Sequence, residues 1–159
     1  MGRGPAAREE AIELLHFGYH AAIAESRRLL AAEGLSRVHH RILYVLRRRP
    51  GLTVGELTEL NQVSRQAAHR PLQQLIGRGL VAVEVREADR RSRTLALSDE
   101  GRRLEAALTR SILRAFEDAS AQAGPKAAEG WRALMRALVD CERARGLDGV
   151  PGMGAGWLD

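Results

Sequence analysis

Between residues 6 and 33, Ile12, Leu15, Tyr19, Ile23, Ser26 and Leu30 recur at steps of three and four. That is the stripe of one helix, and Gly34 stops it. Ser36 can cap a second helix, to about Arg49, with Val38, Ile42, Val45 and Leu46 on one face. Pro50-Gly51 ends it. Thr53-Val54-Gly55-Glu56 has capping-box spacing, because the Thr hydroxyl and the Glu carboxylate can each satisfy a backbone donor near the other. A short helix over 53–60 follows, then a tight turn at Asn61-Gln62-Val63. Ser64 caps a helix over 65–77 with Ala68, Leu72, Leu75 and Ile76 inward, and Gly77 and Gly79 close it. The period then changes to two. Val81, Val83 and Val85 alternate with Ala82, Glu84 and Arg86, and Leu95 and Leu97 alternate with Thr94 and Ala96. With the polar segment Glu87 to Ser92 between them, these runs predict a β-hairpin with one apolar face. Ser98-Asp99-Glu100 caps a long helix marked by Leu104, Leu108, Ile112 and Phe116. Gly124-Pro125 breaks the chain, and a last helix carries Trp131, Leu134, Leu138 and Val139. The glycine-rich stretch 146–159 predicts a flexible tail.

The predicted fold class is mainly α with a small β-hairpin. At 159 residues the chain can bury about 70% of its unfolded surface and needs no staple. Cys141 is the single cysteine, so neither an internal disulfide nor a cysteine zinc cluster is available. No apolar run approaches the ~20 residues of a membrane span, and the first residues lack the apolar core of a signal peptide. A cytoplasmic location is expected. The 25 basic and 20 acidic residues give a net charge of +5, which favours an anionic partner such as nucleic acid. The excess is nearly all arginine, as a GC-rich genome would also produce. Its distribution is more telling: residues 64–93 hold seven basic and three acidic side chains.

Helix, short helix, tight turn, helix and hairpin, in that order, make a winged helix-turn-helix, a DNA-binding module. From about Leu35 to Leu104 the sequence resembles the MarR family of bacterial transcription regulators. The resemblance is carried by Leu35-Ser36 with Leu43 and Leu46, and by Pro50-Gly51-Leu52-Thr53-Val54-Gly55-Glu56-Leu57. Val63-Ser64-Arg65-Gln66, Leu75 with Gly79-Leu80-Val81, Asp89-Arg90-Arg91 and Leu97-Ser98-Asp99-Glu100-Gly101 continue it. The outer helices match in position and pattern only. The resemblance implies a winged helix-turn-helix over 35–97, with 6–33 and 98–145 forming a dimerisation region. The apolar stripe of the long helix agrees, since one small winged domain cannot cover it. Terminal helices folded back within one chain are the alternative.

A reader helix presents its first turns to base edges in the major groove. Here those positions are Ser64, Arg65, Gln66, His69 and Arg70, with Gln73 further along. Arg pairs bidentately with guanine and Gln with adenine. Pro71 removes the bond to the Ala67 carbonyl, so a kinked helix is expected. At the wing tip, Arg90, Arg91 and Arg93 can enter the minor groove. By resemblance, Asp89 holds the wing's shape by pairing with one of them. An exposed charged turn would also account for these residues.

The resemblance further implies a small, often aromatic or phenolic, effector in a cleft between the first two helices and the fifth. His16, Tyr19, His20, His39, His40 and Tyr44 are the polar groups that could line it; packed or solvated histidines are the plainer reading. His16 and His20 have the spacing of a zinc half-site, which leaves a metal-sensing repressor as an alternative. Glu13 is the only nearby carboxylate to complete it, so no metal site is assigned. Asp140 and Glu142 flank Cys141 and should blunt its thiol, which disfavours redox sensing. No phosphate loop, nucleophile elbow or paired carboxylates suggest an enzyme, and no cofactor is expected. The expected function is a ligand-responsive regulator, read as a repressor, that binds a palindromic operator as a homodimer. An interaction protein on the same scaffold without DNA binding is the other class.

Overall fold

The computed structural model describes residues 5–61, 64–86 and 89–145, less the side chains of 5–8, 65, 85, 86, 89–92 and 143. The expected tail over 146–159 lies outside the described residues. Among the described residues, seven helices and one hairpin follow in the order α1 (Pro5–Ala22), α2 (Ala24–Ala32), α3 (Arg37–Arg48), α4 (Val54–Asn61), α5 (Arg65–Gly77), β1 (Val81–Arg86), β2 (Asp89–Leu97), α6 (Asp99–Ala123) and α7 (Pro125–Ala144).

The first helix differs from its prediction. It divides at Ile23, although Ile23 N–H still bonds to the Tyr19 carbonyl at 3.2 Å. Ser26 Oγ donates to the Ile23 carbonyl at 2.9 Å, and such back-bonding bends helices. The single stripe also has two fates. Ile23, Ser26 and Leu30 are buried, whereas Ile12, Leu15 and Tyr19 are exposed, Ile12 by 70%. Thus α2 belongs to the body of the molecule and α1 projects from it.

The body is the trihelical set α3, α4 and α5, closed by the hairpin. Its core joins Ile42, Leu43 and Leu46 of α3 to Leu57 of α4, Leu72 and Leu75 of α5, and Val81, Leu95 and Leu97 of the hairpin. Leu30 from α2 and Leu108 from α6 complete it. The α5 helix runs through Pro71 as one element, with Ala68, Leu72 and Leu75 buried as expected.

The strands pair antiparallel, Val81 opposite Leu97 and Val83 opposite Leu95. β2 begins at Asp89, so strand pairing extends into the segment expected to be a polar loop. The expected apolar face is only half covered: Val81 is buried but Val83 is 42% exposed. Alternation gives the face, and here the body ends before Val83. The wing base is pinned to the α3–α4 connection, where Leu95 N–H bonds to the Leu52 carbonyl at 2.8 Å and Gly51 N–H to the Leu95 carbonyl at 3.0 Å.

Two glycines shape the joints. Gly34 has φ +62°, a left-handed value that suits glycine, and lets Leu35 N–H return to the Leu30 carbonyl at 2.8 Å. Gly101 stands in the first turn of α6, capped by Ser98 Oγ at 3.0 Å. A Cβ there would lie 2.0 Å from the Leu80 carbonyl oxygen. Because that contact is backbone, Gly101→Ala must displace the start of α6. It should cost about 3 kcal/mol, at the upper end for overpacking, read as a lower urea midpoint.

Candidate nucleic-acid interface

The start of α5 is held by a side-chain cap: Ser64 Oγ accepts from Ala67 N–H at 3.1 Å. Burial of Ala68, Leu72 and Leu75 fixes the helix's rotation. That turns Gln66, His69, Arg70 and Gln73 to the exposed side, at the three- and four-residue steps of one face. Four of the expected readers thus share one solvent-facing row. The Arg65 backbone opens the helix, and its side chain is outside the described residues. The short α4, with its Thr53–Glu56 box formed in both directions at 2.7 and 3.3 Å, precedes α5. On the hairpin, Arg93 of β2 is exposed. Asp89, Arg90 and Arg91 have backbone in β2, but their side chains lie outside the described ones, as does the proposed Asp89–arginine pair.

The six residues expected to line an effector site fall into three groups. Tyr19 and His20 border a hollow of about 510 Å³ where α1 and α2 meet the N-terminus of α3. Ile23, Leu30 and Leu35 supply its apolar wall, and Arg27, Ser36 and Arg37 its polar rim. The Arg37 guanidinium lies over the Tyr19 ring, 4.9 Å from its centroid. His16 is not part of the lining, and its ring sits 4.6 Å from that of His20. Among the described residues no group of three or more His, Cys, Asp or Glu is arranged to hold a metal ion.

His40 and Tyr44 form the second group, an edge-on pair with centroids 6.4 Å apart. Arg48 lies 3.6 Å over the Tyr44 ring. Burial, with repulsion from Arg37, pushes the His40 imidazole down to about 4, and its Nε2 is buried without a hydrogen-bond partner. It is therefore neutral at pH 7. His39 stands apart as the third. It is buried, and both ring nitrogens are engaged, with Ser36 on one side and Gln74 on the other. It does not line the hollow.

One polar feature escaped sequence reasoning. Glu105 is 2% exposed, yet its carboxylate accepts from Thr109 Oγ1 at 2.6 Å and lies 3.7 and 3.9 Å from Arg47 and Arg48. It joins α6 to the C-terminus of α3. Its one trace in the sequence is an acidic residue beside the apolar stripe at Leu104 and Leu108.

Residues 33–92 match the family model described as MarR family. The HTH-type transcriptional regulator PetP of Rhodobacter capsulatus is 36% identical over 129 residues, covering 81% of this chain and 78% of the relative. A MepR mutant of S. aureus bound to an oligodeoxyribonucleotide has the same fold, with TM-score 0.60 and 17% identity over 82% of this chain and 96% of that one. Bordetella bronchiseptica BpsR, whose DNA binding is regulated by 6-hydroxynicotinic acid, matches with TM-score 0.61 and 20% identity over 80% and 91%. The capped α5 helix, the hairpin and these likenesses agree: the chain belongs to the MarR family of helix-turn-helix transcription regulators.

Proposed function

We propose that the chain is a ligand-responsive repressor that binds a palindromic operator as a homodimer, with α5 in the major groove and the wing on the flanking backbone. The observation that carries this reading is the exposed row Gln66, His69, Arg70 and Gln73, turned outward by the buried face of a capped helix. Arg65 belongs to the same set by its place in the first turn. Arg90, Arg91 and Arg93 supply the positive charge of the wing, with Asp89 as its brace. The test is selection of duplexes from a random pool, followed by anisotropy titration. Gln66→Ala and Arg70→Ala should each relax sequence preference by about 1–3 kcal/mol per lost base contact. Equal preference in both mutants and wild type would remove α5 as reader.

The dimer is supported by apolar surface that one chain leaves open. Ile12, Leu15 and Phe17 of α1, Leu113 of α6, and Trp131, Leu134 and Leu138 of α7 are all exposed. Phe116 reaches Trp131, with ring centroids 5.0 Å apart, which aligns α6 and α7 into one apolar wall. A second copy would cover it and set two readers on one duplex, about 34 Å apart. Sedimentation at micromolar concentration should give twice the 17.5 kDa chain mass, and Leu138→Asp should shift the chain toward monomer.

The effector reading narrows to the hollow beside α1. Arg27 and Arg37 over an apolar floor suit a small anionic aromatic, the chemistry of the 6-hydroxynicotinic acid that regulates BpsR. His20 and Tyr19 offer further polar contacts, with His16 at the edge. His40 and Tyr44 lie beyond the lining. Salicylate and 6-hydroxynicotinate are the first ligands to screen by thermal shift. Arg37→Ala should weaken a hit by about 1.5–3 kcal/mol, the scale of a hydrogen bond to a charged group. An unchanged affinity would move the site elsewhere.

A further inference from the structure

The corner at residues 33–36 ends α2, starts α3, and is gripped from the other side by the reader helix. Gln74 Nε2 donates to the Gly34 carbonyl at 3.3 Å. Just past the helix, Arg78 Nη2 pairs with Glu33 Oε2 at 2.5 Å, and Arg78 Nη1 donates to the Glu33 carbonyl. His39 stands between these two partners. It is 6% exposed. Its Nδ1 accepts the Ser36 backbone N–H at 3.0 Å and lies 2.9 Å from the Ser36 hydroxyl. Its Nε2 is 3.1 Å from Gln74 Oε1.

These partners fix the protonation state. A ring nitrogen that accepts from an amide N–H carries no proton. The Gln74 amide nitrogen is used on Gly34, so its oxygen faces the ring, and that oxygen only accepts. The imidazole is therefore the neutral form with its hydrogen on Nε2. Ser36, His39, Gln74 and Gly34 close a polar loop from the start of α3 to the reader and back to the corner.

We propose that His39 is a positioning residue for the reader helix: with Nδ1 bare it ties α5 to the 33–36 corner through Gln74, and a proton on Nδ1 breaks the tie and weakens DNA binding. A proton on Nδ1 turns to the Ser36 hydroxyl, 2.9 Å away, and the Ser36 backbone N–H is left facing a donor with its acceptor gone. The cap of α3 is lost and the corner moves off the ring, taking Gly34 away from Gln74. Burial holds the His39 imidazole below its ordinary 6.5, and the Arg78 charge pushes the same way against the bonds to Gln74 and Ser36. The charged groups on the adjoining elements are Arg78 after α5 and, paired to it, Glu33 of the corner. The sign follows. The tie is complete above 6.5 and is lost as the pH falls through the lowered value. The neighbouring His40 takes its proton only at about 4.

This proposal rests on DNA binding by α5, and its test has a reading that does not. Anisotropy on a selected duplex at fixed salt, from about pH 7.5 to about pH 5, should show wild type losing affinity about tenfold. His39→Gln keeps an acceptor for the cap at the third helical position, but it neither titrates nor reaches Gln74. It should bind about tenfold more weakly at neutral pH and show no further acid loss. Gln74→Leu should behave alike. Gln74→Glu places a carboxylate against Nε2, which favours the charged ring, so the acid midpoint should move to higher pH. A wild-type pH profile in His39→Gln or Gln74→Leu, or wild-type affinity that is flat or rises in acid, would overturn the proposal. In the free wild-type protein, NMR should find His39 Nδ1 unprotonated at neutral pH and the Gln74 side-chain amide shifting as His39 titrates. A protonated Nδ1 or an unmoved Gln74 amide would overturn it whether or not a duplex binds. Failure of wild type to bind any duplex, with that NMR result intact, would instead count against the reader assignment.

Discussion

The carbonyl oxygen of Leu80 is where the two halves of the chain are joined. It accepts the backbone N–H of Ser98 at 3.1 Å and the Ser98 hydroxyl at 3.2 Å. Leu80 N–H meanwhile bonds back to the Leu75 carbonyl at 3.0 Å. The last turn of the reader, the first residue of the wing, the last of its return strand and the first turn of α6 all meet within a hydrogen bond or two of this peptide. Gly101 makes the approach feasible, since any side chain there would collide with the same oxygen. An acceptor satisfied twice and sealed from water is costly to disturb. The orientation of reader and wing relative to α6 is thereby fixed by backbone and does not depend on side-chain packing alone.

Charge holds the same face of α6 one turn further along. The Glu105 carboxylate of α6 is buried against the arginines that end α3. Both cations sit at a helix C-terminus, where the helix dipole favours them, and Thr109 takes up one of the carboxylate's remaining lone pairs. Arg47 and Arg48 stay 49% and 41% exposed, so it is the buried carboxylate that would be stranded by their removal. The contact therefore specifies how α6 lies on α3 more than it adds to stability. Leu108 one turn on is fully buried, while Leu113 and Phe116 emerge from the body. The helix is part of the core at one end and part of an open apolar wall at the other.

Local signals were legible in the sequence and distant ones were not. The Thr53–Glu56 box and the caps at Ser64 and Ser98 each involve residues three apart, so spacing alone locates them. The buried face of α5 was legible too, because Ala68, Leu72 and Leu75 repeat on one side even across Pro71, and the outward row follows from the inward one. The division at Ile23 was hidden, because a serine in a helical stripe reads as a small inward residue, and its hydroxyl's choice of the Ile23 carbonyl is a tertiary outcome. The exposure of Val83 was hidden because a period of two says which side a residue takes, not whether anything covers that side. In the sequence His39 reads as a polar group for an effector site. Its partner Gln74, 35 residues away, became visible only when α3 and α5 were packed together. The effector-site residues scattered for the same reason: a shared chemistry in the sequence is not a shared place in space.

The 25 residues of α6 span about 37 Å at 1.5 Å per residue. One end is clamped at Leu80 and the other stands beside the Trp131 face of α7. A helix of that length acts as a rigid lever. A tilt of about 10° at the clamped end sweeps the far end by about 6 Å over that span, more than one turn of helix. In a two-fold pair the motion is read in reverse. If the far ends are locked together, as in the proposed dimer, the same tilt is delivered to the two α5 helices, and a few ångströms would then decide whether both fit grooves one turn of DNA apart.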